Sequence, residues 1–153
     1  MPAYESKLTI AFGARREREE PVWDFVWAAG SAAPEGVPVV LAEATAAVGR
    51  DLLGSDEVRA HFPELDWAYR AADRALSYFN RRIHVFQEWQ DMDTAWTTAA
   101  VAEAVSDQLT GYEFVQWPIC PAHQHPMRAT VVDEAAWWLC PKTNERVRRV
   151  GEL

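Results

Sequence analysis

Both cysteines of this chain lie in one short segment that also holds two of its four histidines. Two residues separate Cys120 from His123, one residue separates His123 from His125, and Cys140 comes 20 positions after Cys120. Thiolate sulfur and imidazole nitrogen are ligands that zinc prefers, and a structural zinc ion binds four ligands in a tetrahedron. These four residues supply that number, so the spacing predicts a zinc site.

The sequence between the cysteines predicts a β-hairpin. Residues 127–132 and 136–139 are rich in β-prone side chains, and the residues between them favour a turn. Such a hairpin would return Cys140 to the side of Cys120. A last strand is predicted over 146–150, after a turn at Thr143 and Asn144.

The pairs Cys120-Pro and Cys140-Pro resemble the knuckles of a zinc ribbon, and the resemblance covers residues 118–153. It implies a small antiparallel module held by structural zinc. A ribbon carries a further ligand near position 143, where this chain has Thr143, so the resemblance is to a degenerate ribbon in which His125 takes that role. With only three ligands, a water molecule would complete the shell. A disulfide between the two cysteines, or cysteines and histidines without metal, are the alternatives.

The part of the chain before this module predicts a mainly helical body. Its strongest pattern is an apolar heptad seam over 64–90, which predicts one long central helix. Helices are also predicted over 22–29, 38–53, 55–61 and from Asp93 or Thr94 to Gly111, with Trp96 on the apolar face of the last one. Strands are predicted over 7–12 and 112–117.

These elements predict an α+β fold with two parts. Residues 1–111 form a helical body with a short N-terminal strand or arm, and 112–153 form the zinc-ribbon-like β module packed on it. Residues 1–20 lack the apolar core of a signal peptide, and two cysteines make no disulfide framework, so we expect a cytoplasmic protein. The sequence has no apolar run long enough to span a membrane.

Charge and missing motifs limit the function classes. The net charge of −8 has the wrong sign for a general nucleic-acid binder, although Arg146, Arg148 and Arg149 make a small basic strand. The sequence contains no phosphate-binding loop, dinucleotide fingerprint or nucleophile elbow. A catalytic role therefore has no motif to support it.

We therefore expect a non-catalytic interaction protein, a subunit or adaptor of a larger assembly such as a virion or another multi-protein particle. Its partner would be another protein or a second copy of the chain. A second apolar stripe on the predicted central helix supplies aromatic anchors for this contact: Trp67, Tyr78 and Trp89. The alternatives are a small zinc-dependent hydrolase, and a nucleic-acid-binding protein that uses the C-terminal module.

Overall fold

The protein is described by a computed structural model that covers residues 22–79, 82–85 and 92–153. These residues form a four-stranded antiparallel sheet in the order β1-β2-β3-β4, a three-stranded antiparallel sheet in the order β5-β6-β7, and three helices. The elements are β1 Phe25–Ala28, α1 Val39–Leu53, α2 Asp56–His61, β2 Asp66–Arg70, β3 Ala75–Tyr78, β4 Arg82–Val85, α3 Thr94–Gly111, β5 Arg128–Val132, β6 Ala135–Leu139 and β7 Arg146–Arg149. The mixed helix and strand content of the prediction is confirmed.

Three predicted helices form where the local signals place them. α1 begins after Pro38 and ends at Gly54, and it turns an apolar face inward. Ser55 caps α2, because its hydroxyl accepts the Val58 amide hydrogen. Asp93 caps α3 in the same way by accepting the Trp96 amide hydrogen at 3.0 Å. Side-chain capping satisfies amide groups that a helix cannot pair internally, so these boundaries are fixed locally.

The prediction of one long central helix is wrong. Within 64–85 the described residues form the antiparallel strands β2, β3 and β4 instead. Every residue of β3 is buried, so the strand lacks the alternation of apolar and polar residues that marks a strand with one wet face. The spacing of its apolar residues therefore also fits the apolar face of a helix. The end of the predicted helix, 86–90, lies outside the described residues.

Two further predicted elements are wrong. Residues 25–28 are β1, which pairs with β2, whereas a helix was expected over 22–29. Trp23 and Trp27 are four residues apart, and an even spacing also puts two side chains on one face of a strand. Residues 112–117 have no strand, and Tyr112 and Phe114 are largely exposed. The strand predicted over 7–12 lies outside the described residues.

The core lies between the helices and the two sheets. α1 and α3 pack on each other, and α3 also contacts β5 and β6. Buried residues of β1, β2, β3, β6 and the three described helices belong to one apolar cluster. Trp96 is not part of it: the side chain is about half exposed, because the buried face of α3 includes Thr97 and Val101 instead. No helix among the described residues has the length and apolar character needed to cross a membrane.

The β5–β7 sheet is attached to the helices through polar as well as apolar contacts. Glu103 of α3 accepts the amide hydrogen of Ala129 in β5 at 2.6 Å. Asp51 of α1 accepts the indole N–H of Trp138 in β6 at 2.7 Å. Trp138 is fully buried and meets Trp117 edge to face. These contacts fix the position of the sheet that leads into Cys140.

Candidate metal centre

The first half of the centre is a tight turn that begins at Cys120. The Cys120 amide donates to the His125 carbonyl at 2.8 Å, and the Gln124 amide donates to the Cys120 carbonyl at 2.9 Å. Gln124 has a φ of 55°, in the left-handed region, which lets the chain reverse within these few residues. The turn holds the His123 side chain beside the sulfur of Cys120.

The second half is a turn of the same type that begins at Cys140. The Cys140 amide donates to the Glu145 carbonyl at 3.0 Å, and the Asn144 amide donates to the Cys140 carbonyl at 2.8 Å. Asn144 has a φ of 60°. The antiparallel pairing of β5 with β6 returns the chain and brings this turn against the first one. The expected hairpin is therefore confirmed, with a two-residue turn at Asp133 and Glu134.

Three of the four predicted ligands meet in one group: Cys120, His123 and Cys140. The Nδ1 atom of His123 lies 3.7 Å from the Cys120 sulfur and 3.3 Å from the Cys140 sulfur. A tetrahedral zinc ion with bonds of about 2.3 Å to sulfur and about 2.05 Å to nitrogen separates these atoms by about 3.6 Å. The spacing of the donor atoms therefore fits a common metal ion.

The fourth predicted ligand, His125, is not in this group. Its side chain is exposed, and its carbonyl closes the first turn by accepting the Cys120 amide hydrogen. Both cysteines are buried and carry free thiols, so the alternative of a disulfide is not formed here. The structure thus brings three donor side chains together and leaves His125 outside them.

Hydrogen bonds stabilise the thiolate form of Cys140. Burial alone would raise the pKa of this thiol, but the Thr143 hydroxyl and the Thr143 and Lys142 amides bond to the sulfur, with a further bond from Cys120. Their combined effect lowers the pKa of Cys140 to about 6. The thiolate is the form that binds metals, so these contacts prepare the sulfur for coordination.

The predicted interaction residues divide between core and surface. Trp67 and Tyr78 are buried in the core, where they pack edge to face, and so they cannot be surface anchors. Their placement follows from the strands that replaced the predicted helix. The three predicted arginines, Arg146, Arg148 and Arg149, lie on β7 with exposed side chains. The predicted anchor Trp89 lies outside the described residues.

Sequence reasoning missed how Trp137 is used. The guanidinium carbons of Arg146 and Arg149 lie 5.3 Å and 5.4 Å from the centre of its ring. Such cation–π contacts orient both arginines over the indole. The signal was present in the pair Trp137-Trp138, because two successive residues of a strand face opposite sides and only Trp138 enters the core.

No protein-family model matches the sequence, and neither a curated protein nor a solved structure shows significant similarity to it.

Proposed function

We propose that the protein is a non-catalytic, zinc-stabilised interaction protein whose residues 118–153 form a degenerate zinc ribbon. The observation that carries this proposal is the group of Cys120, His123 and Cys140, with donor spacings that suit a zinc ion. Zinc is favoured over harder cations because two of the three donors are sulfur. The free thiols are consistent with a cytoplasmic location, where cysteines stay reduced.

A structural role for the ion is supported by its place in the fold. The two cysteines are each 2% exposed, and they start the two turns that enclose the short β5–β6 hairpin. An ion bound to both would hold these turns together. Because a metal site rarely exists before folding, the binding energy would stabilise the folded module directly.

The side of the β5–β7 sheet that faces away from the helices supports a docking role. Thr130, Trp137 and Arg149 are paired across the three strands and therefore share this side, with Arg146 also over the indole. We call these four residues the outer face. Trp and Arg are the residues most enriched among energetically dominant interface positions. Arg146 is paired with Asp133 at 2.9 Å, and Arg149 adds a second guanidinium to this face. The chain carries a net charge of −8, so these guanidinium groups are complementary to the acidic surface of a second copy or of another acidic protein.

Metal analysis of the purified protein tests the zinc site. We expect about one zinc ion per chain, lost in Cys120→Ser, Cys140→Ser and His123→Ala because each change removes a donor atom. His61→Ala is the matched control, since this exposed histidine lies in α2 outside the metal group. Less than about 0.2 ion per chain in the parent protein, or equal loss in the control, would exclude the site.

Light scattering on the zinc-loaded protein tests the docking role. We expect a mass that is a multiple of 17.3 kDa, or a stable complex with an acidic protein, and a return to the monomer in Trp137→Ala. Tyr112→Ala is the control, because Tyr112 is a largely exposed aromatic residue that lies outside the β5–β7 sheet. A strictly monomeric, zinc-loaded protein without a partner would contradict the proposal.

Oligonucleotide binding provides the second arm of the test. Fluorescence anisotropy at low salt is expected to show no binding of a single-stranded probe. Salt-dependent binding that disappears when Arg146, Arg148 and Arg149 are replaced would instead establish the nucleic-acid alternative and overturn a protein partner.

A further inference from the structure

The two turns of the metal centre repeat each other residue by residue. Each begins with Cys-Pro, and each is closed by two backbone hydrogen bonds between the same relative positions, at 2.8–2.9 Å in the first turn and 2.8–3.0 Å in the second. In each, the fifth residue has a left-handed φ, 55° at Gln124 and 60° at Asn144. The backbone therefore sets up two equivalent positions for metal ligands in each turn.

Each position of the first turn therefore has a counterpart in the second turn. Cys120 corresponds to Cys140, and His123 corresponds to Thr143. His125 corresponds to Glu145, and the carbonyl groups of both close their turns. The position that supplies the nitrogen ligand in the first turn is thus held by a hydroxyl in the second.

Thr143 is not a donor of the metal group, although it holds the position that corresponds to His123. Its hydroxyl is hydrogen-bonded to the Cys140 sulfur. A neutral hydroxyl is a poor zinc ligand beside thiolates, and zinc sites that use three protein side chains complete their tetrahedron with an exchangeable ligand. The side of the group next to Thr143 is where the repeat places the missing fourth donor.

We propose that the metal is held by three protein donors and keeps an exchangeable fourth position beside Thr143, which accepts a small thiolate in place of water. This inference rests on the zinc site proposed above. Two thiolates and one neutral imidazole balance the charge of the dication, so the resting ligand would be water. In the exchange, a thiol gives its proton to solvent, its sulfur binds the metal, and the water leaves. Soft thiolate is favoured because the site is already rich in sulfur.

Cobalt(II) in place of zinc gives a direct readout, because sulfur-to-cobalt charge-transfer absorption grows with the number of bound thiolates. On addition of 2-mercaptoethanol to the cobalt-loaded protein, we expect this absorption to rise by about one half, as two thiolates become three. No rise in a protein that holds cobalt would overturn the inference and leave the proposed zinc site intact. Failure of the protein to take up cobalt or zinc would overturn both.

Variants at the fourth position sharpen the test. Thr143→Cys should show the higher absorption without added thiol and no further response, because the variant supplies the third thiolate itself. Thr143→Val, which keeps the size but removes the hydroxyl, should keep the metal and the response. His125→Ala should behave like the parent protein. If His125 occupies the fourth position, the parent will not respond and His125→Ala will, and this result would contradict the proposal.

Discussion

The indole N–H of Trp138 donates a 2.7 Å hydrogen bond to a carboxylate oxygen of Asp51, 87 residues earlier in the chain. Asp51 is 1% exposed and also accepts the Gly151 and Leu153 amide hydrogens, at 2.7 Å and 3.0 Å. One side chain of α1 therefore binds both β6 and the segment 151–153. Burial raises the pKa of Asp51, while these three hydrogen bonds and nearby Arg50 oppose the rise.

Replacing Asp51 should loosen the attachment of the β5–β7 sheet. Asp51→Ala leaves three donors without their acceptor, and we expect the free energy of unfolding to fall by about 2–4 kcal/mol. Asp51→Asn is the matched control, because it keeps the shape and one acceptor oxygen, and its loss should be smaller. Urea unfolding measures both, and a loss below about 0.5 kcal/mol in Asp51→Ala would show that the network does not stabilise the fold.

Gly49 is required by a close contact rather than by its backbone conformation. A β-carbon at this position of α1 would lie 2.4 Å from the carbonyl oxygen of Ala29. Gly→Ala in a helix usually stabilises by about 1 kcal/mol, but here we expect a loss of about 1–3 kcal/mol from the clash. Gly111→Ala is the control, because no atom lies within 4 Å of the added carbon at the end of α3. Thermal unfolding should show opposite signs for the two variants.

Glu103 should make stability depend on pH. Burial raises the pKa of Glu103, with Asp107 adding to the rise, while the bond from the Ala129 amide and the charge of Arg128 oppose it. A carboxyl group whose pKa is higher in the folded state favours folding when protonated, so its contribution weakens as pH rises through that pKa.

Glu103→Gln removes the charge but keeps an oxygen that can accept the Ala129 amide. We expect it to be more stable than the parent at pH 8 by less than about 1 kcal/mol, since the side chain is partly exposed, with the difference shrinking towards pH 4. Chemical unfolding of both proteins at matched pH values measures this difference. A gain that is constant with pH would indicate a cause other than the charge of Glu103.

The β5–β6 turn carries a local conflict that can be relieved. Asp133 and Glu134 both have positive φ, 49° and 62°, in a two-residue turn where Asn-Gly is the preferred pair. Glu134→Gly should raise the free energy of unfolding by about 0.5–1 kcal/mol, because glycine adopts this conformation without a steric penalty. Glu134→Ala, which removes the same carboxylate but keeps the β-carbon, should give no such gain. Equal effects in the two variants would point to charge instead.

Local chemistry determined several elements directly. Ser55 and Asp93 cap helices because their short side chains accept nearby amide hydrogens, and this needs no distant contact. The hairpin between the cysteines follows from its β-prone runs and turn. The spacing of Cys120, His123 and Cys140 indicated a metal group for the same reason, since a short turn and one hairpin are enough to bring the three together.

Only the tertiary structure decided whether the described residues within 64–85 form a helix or strands, and whether the fourth candidate ligand, His125, joins the metal group. β3 is buried on both sides between neighbouring strands and packed side chains, so its sequence lacks strand alternation and its apolar residues fit either element. His125 is only two positions after His123, yet its carbonyl closes a turn that leaves its side chain outside the group. Sequence specified which residues could pair or bind over short distances. Burial and the backbone hydrogen bonds of the folded chain decided which of these possible pairings and contacts form.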